Sequence, residues 1–82
     1  MDEQTLLTLQ EVRNAASVPW VVVDGRVLDL SRWIHHHPGG DLALRRFAGT
    51  DCTDEFHKIH SKRAIAMLPM FTIGQISRVA RL

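Results

Sequence analysis

Cysteine is almost missing from this chain. Cys52 is the single one in 82 residues, so no disulfide can close within it. A lone free thiol fits a reducing compartment. An excess of charge is missing too: ten Lys and Arg stand against nine Asp and Glu, a formal net charge of +1. That gives no support for nucleic-acid binding, which calls for a basic bias. No run of about 18 apolar residues occurs, so no membrane span is expected. The opening Met1-Asp2-Glu3-Gln4 is acidic and polar, without the basic and apolar regions of a signal peptide. Internal repeats, low-complexity stretches and linkers are absent. We expect a single domain over residues 1–82, cytoplasmic and monomeric. A domain of this size buries only about 60% of the surface its unfolded chain exposes, so its core is thin and commonly helped by a metal, a cofactor or a partner.

What is present reads as short alternating elements. Thr8-Leu9-Gln10-Glu11 fits a capping box, in which Thr8 and Glu11 satisfy each other's backbone N–H groups. It opens a helix to about residue 15, and Pro19 forbids continuation. Trp20-Val21-Val22-Val23 is β-branched and aromatic, and Arg26-Val27-Leu28-Asp29-Leu30 returns after Asp24-Gly25. Asp-Gly between two apolar runs marks a hairpin with a type I′ turn. Ser31 is expected to cap a short helix carrying Trp33 and Ile34, which Pro38-Gly39-Gly40 breaks. Asp41 then caps a helix over 42–47 that Gly49 ends. Asp51 caps another to about residue 58, with Asp54 at its third position. Ser61 caps a last one to residue 68, ended by Pro69. Phe71-Thr72-Ile73 reads as a final strand interrupted by Gly74. The helices between residues 37 and 69 are too short to be stable alone, so they need something to pack around.

The five histidines are the anomaly: His35, His36, His37, His57 and His60. Neutral imidazole is the commonest side-chain metal ligand. His37 stands directly before Pro-Gly-Gly and His60 directly before Ser61, both at helix ends where a side chain can be aimed into a cleft. His35, His36 and His57 fall inside expected helices and read as surface residues. Taken singly, a histidine in a small domain is more often a surface or internally satisfied residue than a ligand. Zinc is a weak alternative. It needs three or four ligands, three consecutive histidines cannot all face one ion, and no cysteine pair or carboxylate cluster completes a set around His57 and His60.

The longer pattern is more specific. His37-Pro38-Gly39-Gly40-Asp41, then Ala48-Gly49-Thr50-Asp51-Cys52-Thr53-Asp54-Glu55-Phe56, then Ile59-His60-Ser61 resembles the haem-binding core of the cytochrome b5 family. The hairpin from Trp20 to Leu30 matches that family's approach to its first histidine. Met67-Leu68 and Phe71-Thr72-Ile73-Gly74 match its closing helix and strand. The resemblance covers roughly residues 8–76, and His60 follows His37 by 23 residues. This spacing is more similar to the domains fused to plant-type nitrate reductases and desaturases than to the microsomal carriers. Three departures stand out. Ala15-Ala16-Ser17-Val18-Pro19 is short and uncharged where the family has a longer acidic loop. Trp33 replaces a commoner phenylalanine. Arg45, Arg46, Lys58, Lys62 and Arg63 interrupt a docking face that is typically acidic.

The resemblance implies an α+β fold in which a small mixed β-sheet and short helices form a haem cleft. It implies that His37 and His60 are the two axial ligands of a non-covalently bound haem b. A two-cysteine haem attachment is excluded by the cysteine count. The implied pocket is lined by Leu30 and Trp33, by Ala43, Leu44 and Phe47, and by Phe56, Ile59, Met67 and Phe71, with Ser61 hydrogen-bonded to a haem propionate. The implied function is one-electron transfer between a flavin-containing reductase and an acceptor oxidoreductase such as a desaturase or hydroxylase, by a carrier that is not itself an enzyme. The alternative is a haem- or small-ligand-binding scaffold related to the membrane-associated progesterone receptors, which lack this histidine pair.

Overall fold

Asp24 and Gly25 both take positive φ, 53° and 77°, as a type I′ turn requires. They join β2 (Trp20–Val23) to β3 (Arg26–Asp29) in an antiparallel hairpin that pairs Trp20 with Asp29 and Val23 with Arg26. The computed structural model describes residues 4–34, 41–59 and 62–77, with the side chains of Asp41, Ala43 and Ile59 left undescribed. Within them a mixed four-stranded sheet has the order β1-β4-β3-β2. Its other strands are β1 (Leu6–Leu7) and β4 (Thr72–Ile76). β4 runs antiparallel to β3 and parallel to β1.

The sheet buries both faces. Val21, Val23, Leu28 and Leu30 join one apolar cluster, while Val22 and Val27 join another. The period of two thus divides a nearly continuous valine run between two cores, the pattern expected of strands covered on both sides. The second cluster is closed by α1 (Leu9–Asn14), whose Val12 is fully buried. The capping box at its start is formed as expected: Thr8 Oγ1 accepts from Glu11 N at 3.0 Å, and Glu11 Oε1 accepts from Thr8 N at 3.0 Å. The first cluster lies under α2 (Asp41–Phe47), α3 (Thr53–Ile59), α4 (Lys62–Ala66) and α5 (Leu68–Phe71).

Several expectations need correcting. β1 was not anticipated, since two residues carry no periodicity. Residues 31–34 form a turn: the N–H groups of Trp33 and Ile34 both donate to the Leu30 carbonyl, at 3.0 and 2.9 Å. Ser31 does not cap there but gives its own N–H to Asp29 Oδ1 at 2.9 Å. α3 begins at Thr53, so Asp51 stands two residues before it and accepts from Thr53 N at 3.0 Å and Thr53 Oγ1 at 2.6 Å. Pro69 opens α5 and does not end α4, because the first turn of a helix has no use for the N–H that proline lacks. Phe71 is accordingly helical. Gly74 does not interrupt the strand but lies inside it, opposite Val27. A Cβ at Gly74 would stand 2.6 Å from the Thr5 carbonyl oxygen, so glycine is what lets the edge strand close on β4. Gly49, with φ of 78°, ends the α2 segment as expected, and its N–H reaches the Trp20 carbonyl at 2.7 Å.

Two substitutions check these assignments by urea unfolding of the purified protein. Gly74→Ala should lower stability by about 1–3 kcal/mol, the scale of forced overpacking, and an unchanged midpoint would show that β1 yields freely. Thr8→Ala should cost about 0.5–2 kcal/mol through loss of the cap, with an unaltered denaturant dependence.

Candidate functional site

The two clusters differ in what overlies them. On the α1 side Leu7, Val12, Val22 and Val27 are at most 4% exposed, and Trp20, Ile73 and Ile76 are partly buried against them. On the helical side the buried set of Val21, Val23, Leu28, Leu30, Cys52 and Leu68 is overlain by a second tier that is only partly buried: Trp33, Leu44, Phe47, Phe56, Ile65 and Phe71. All three phenylalanines of the chain are in that tier. Trp33 from the turn after β3 meets Phe71 of α5 with ring centroids 5.8 Å apart and planes inclined by 59°. Among the described residues no polar or charged side chain is fully buried. The cluster is therefore apolar and rich in rings, a surface suited to a flat apolar group.

Short helices deliver this tier because each presents one apolar stripe. Leu44 and Phe47 are three apart on α2 and share a side, while Arg45 and Arg46 are exposed. Phe56 stands on α3, where its N–H closes the first turn on the Cys52 carbonyl at 2.9 Å. Ile65 of α4 and Leu68 of α5 stand on either side of Met67, which keeps an α-like backbone at φ −85° and ψ −10°.

Six of the residues expected to line a pocket thus gather on one cluster: Leu30, Trp33, Leu44, Phe47, Phe56 and Phe71. Met67 is half-buried beside them in sequence but is not among the residues packed on that cluster. Ala43 and Ile59 lie on α2 and α3, with side chains outside the described set. His37, His60 and Ser61 lie outside the described residues, as do His35 and His36. The expected lining left out Ile65, Cys52 and Leu68. Ile65 and Leu68 were findable, being three apart with Leu68 just before Pro69. Nothing in the sequence marks Cys52 as buried.

Burial, followed by the nearby carboxylates of Asp51 and Glu55, pushes the Cys52 thiol up to about 11. It is therefore protonated and inert at neutral pH. His57 is exposed, as expected, but it is not idle: its Nε2 lies 2.9 and 3.0 Å from the two carboxylate oxygens of Asp24 at the hairpin tip. Among the described residues no group of three or more His, Cys, Asp or Glu side chains could hold a metal ion.

Residues 6–77 match the family described as the Cytochrome b5-like Heme/Steroid binding domain. Among curated proteins, inducible NADH nitrate reductase 2 of Glycine max is 44% identical over 72 residues, covering 85% of this chain and 8% of that protein. NADH nitrate reductase 1 of Zea mays is 45% identical over 71 residues, covering 84% of this chain and 11% of that protein. The chain thus spans only about a tenth of the length of these relatives. Among solved structures, the cytochrome b5 of Ostreococcus tauri virus 2 superposes with a TM-score of 0.75 at 31% identity, covering 85% of this chain and 82% of that one. Cytochrome b558 of Ectothiorhodospira vacuolata, a prokaryotic homologue of cytochrome b5, superposes with a TM-score of 0.76 at 25% identity, covering 88% of this chain and 98% of that one. The expected α+β architecture, the ring-lined apolar face and the match over nearly the whole length agree, and the chain belongs to the cytochrome b5-like haem/steroid-binding family.

Proposed function

We propose that the chain is a single-domain one-electron carrier that holds haem b, without a covalent bond, between His37 and His60. The observation that carries this reading is the half-closed apolar tier of Trp33, Leu44, Phe47, Phe56, Ile65 and Phe71. In sequence, His37 falls between Trp33 and α2, and His60 between α3 and α4. Both proposed ligands therefore come from connections joining segments that build the tier. An apolar surface without buried charge fits a porphyrin, whose polar edge is confined to its propionates.

Haem b, when bound, supplies a one-electron iron couple. The chain's own residues determine how it is used. His37 and His60 would hold the iron through their imidazoles and leave no position for oxygen, peroxide or substrate, which would favour electron exchange over oxygen activation. A hydrogen bond from the second nitrogen of each ring would fix tautomer and orientation. Glycine at positions 39 and 40 would permit a close backbone approach beside His37. Leu30 and the ring tier, with Ala43, Ile59 and Met67, would keep water from the macrocycle, and Ser61 would bind a propionate. The proposed donor is a flavin-containing reductase and the proposed acceptor another oxidoreductase, a desaturase or hydroxylase being examples. The nitrate reductases among the relatives, named for NADH, support a redox chain of this kind. Among the described residues no helix is long and apolar enough to cross a membrane, and the proposed location is the cytoplasm.

Reconstitution with haemin tests the reading. The protein should give a six-coordinate low-spin spectrum, unaltered by carbon monoxide in the reduced state. His37→Ala or His60→Ala should each weaken haem binding by more than the roughly 10- to 100-fold typical of losing a ligand's supporting partner, while His35→Ala should not. Ready carbon monoxide binding would mean an open site, and a colourless protein that refuses haemin would favour the ligand-binding scaffold. Because haem binds the folded chain and not the unfolded one, amide exchange of the haem-free form should be faster over residues 37–69 while the hairpin stays protected. Equal protection of both regions would contradict this.

A further inference from the structure

We propose that Asp24 and His57 form a positioning pair for His60, fastening the helix that leads into that ligand to the tip of the hairpin. The inference rests on the haem reading above and concerns a contact that the reading does not use. α3 has seven residues, too few to be stable without tertiary support. One side of it, through Phe56, packs on the apolar cluster. Thr53 and His57, four apart, share another side, and both reach Asp24. Asp24 N donates to Thr53 Oγ1 at 2.9 Å, and the Asp24 carboxylate accepts from His57 Nε2 at 2.9 and 3.0 Å. An ionised carboxylate only accepts, so the ring proton sits on Nε2. The Thr53 hydroxyl gives its own proton to Asp51 Oδ1 at 2.6 Å. Asp51 is in turn bridged to Val22 of β2.

The first turn of α3 is thus fixed twice, through Thr53 and Asp51. The last turn, from which the chain passes through Ile59 to His60, is fixed outside the apolar cluster by His57. The ring of Phe56 stands edge-on to His57, with centroids 5.7 Å apart and an interplanar angle of 87°, so the clasp also steadies a member of the ring tier. Asp24 is suited to its end of the contact because the turn holds it at φ 53°, on the rigid end of a hairpin whose valines are 2% exposed or less. Both side chains of the pair are about two-fifths exposed, 41% for Asp24 and 40% for His57. Its effect is therefore modest in size and lies in the placement of the helix end.

The test uses the haem-reconstituted protein and two readouts: haem transfer to excess apomyoglobin, and the ferric low-spin EPR spectrum, which responds to axial imidazole orientation. Asp24→Gly removes the carboxylate while keeping the N–H and tolerating positive φ. His57→Ala removes the ring, and His57→Gln keeps a donor. Asp24→Gly and His57→Ala should each speed haem loss by about two- to fivefold, the scale of an exposed ion pair. Each should also shift the EPR g values. The double variant should lose haem no faster than either single one, and His57→Gln should fall close to wild type. Unchanged rates, or single effects that multiply in the double variant, overturn the proposal. Faster loss with an unshifted EPR spectrum marks a stability effect alone and overturns the positioning role. A wild-type protein that takes up no haem overturns the haem reading and this proposal with it, whereas a wild type that holds haem beside indistinguishable variants overturns only the clasp.

Discussion

The register of the β2–β3 hairpin decides every other packing relation in the described fold. The two strands carry consecutive apolar residues, and a slip of one position would send each of them to the opposite face. The Asp24-Gly25 turn, with both residues at positive φ, sets Val22 opposite Val27 and Val21 opposite Leu28. Val22 and Val27 thereby go to α1, and Val21, Val23 and Leu28 go to the helices. Helices of four to seven residues have no independent stability, so the face that this turn assigns to them is what allows them to exist.

The sequence was most legible where one local rule acted alone. The type I′ turn needed only Asp-Gly, and the α1 cap needed only Thr8 and Glu11; both formed as expected. Legibility failed where two rules competed. Pro69 reads equally as a helix stop or a helix start, and the start prevailed because Leu68 had a buried place in the cluster. Gly74 reads as a breaker until the Thr5 carbonyl is seen to occupy the space of its missing side chain. Ser31 lost its capping role to the Leu30 carbonyl and the Asp29 carboxylate, both upstream of it.

For the candidate site, the apolar lining was expected from a family resemblance and not from periodicity, since the contributing helices hold too few turns to show a period. Leu30, Trp33, Leu44, Phe47, Phe56 and Phe71 gather on one apolar cluster. Ile65 was missed for want of a named family position, and Cys52 because a single buried thiol has no pattern. His57 was assigned to the surface, which is correct as far as exposure goes. Its partner lies 33 residues away, in the turn, and no helical rule relates the two.

The contrast between the two sides of the sheet is the strongest physical argument for a bound apolar group. The α1 side carries three partly buried residues over its buried set, Trp20, Ile73 and Ile76. The helical side places a tryptophan and all three phenylalanines in a layer that remains partly exposed, in a chain short enough that its core is scarce. Leaving ring surface in water forgoes about 25 cal/mol for each Å² not buried. An apolar group seated on the tier would recover that burial while the hairpin beneath stays as it is. The hairpin and the α1 side then act as a base on which the short helices adjust to the occupant, an arrangement that suits the proposed carrier.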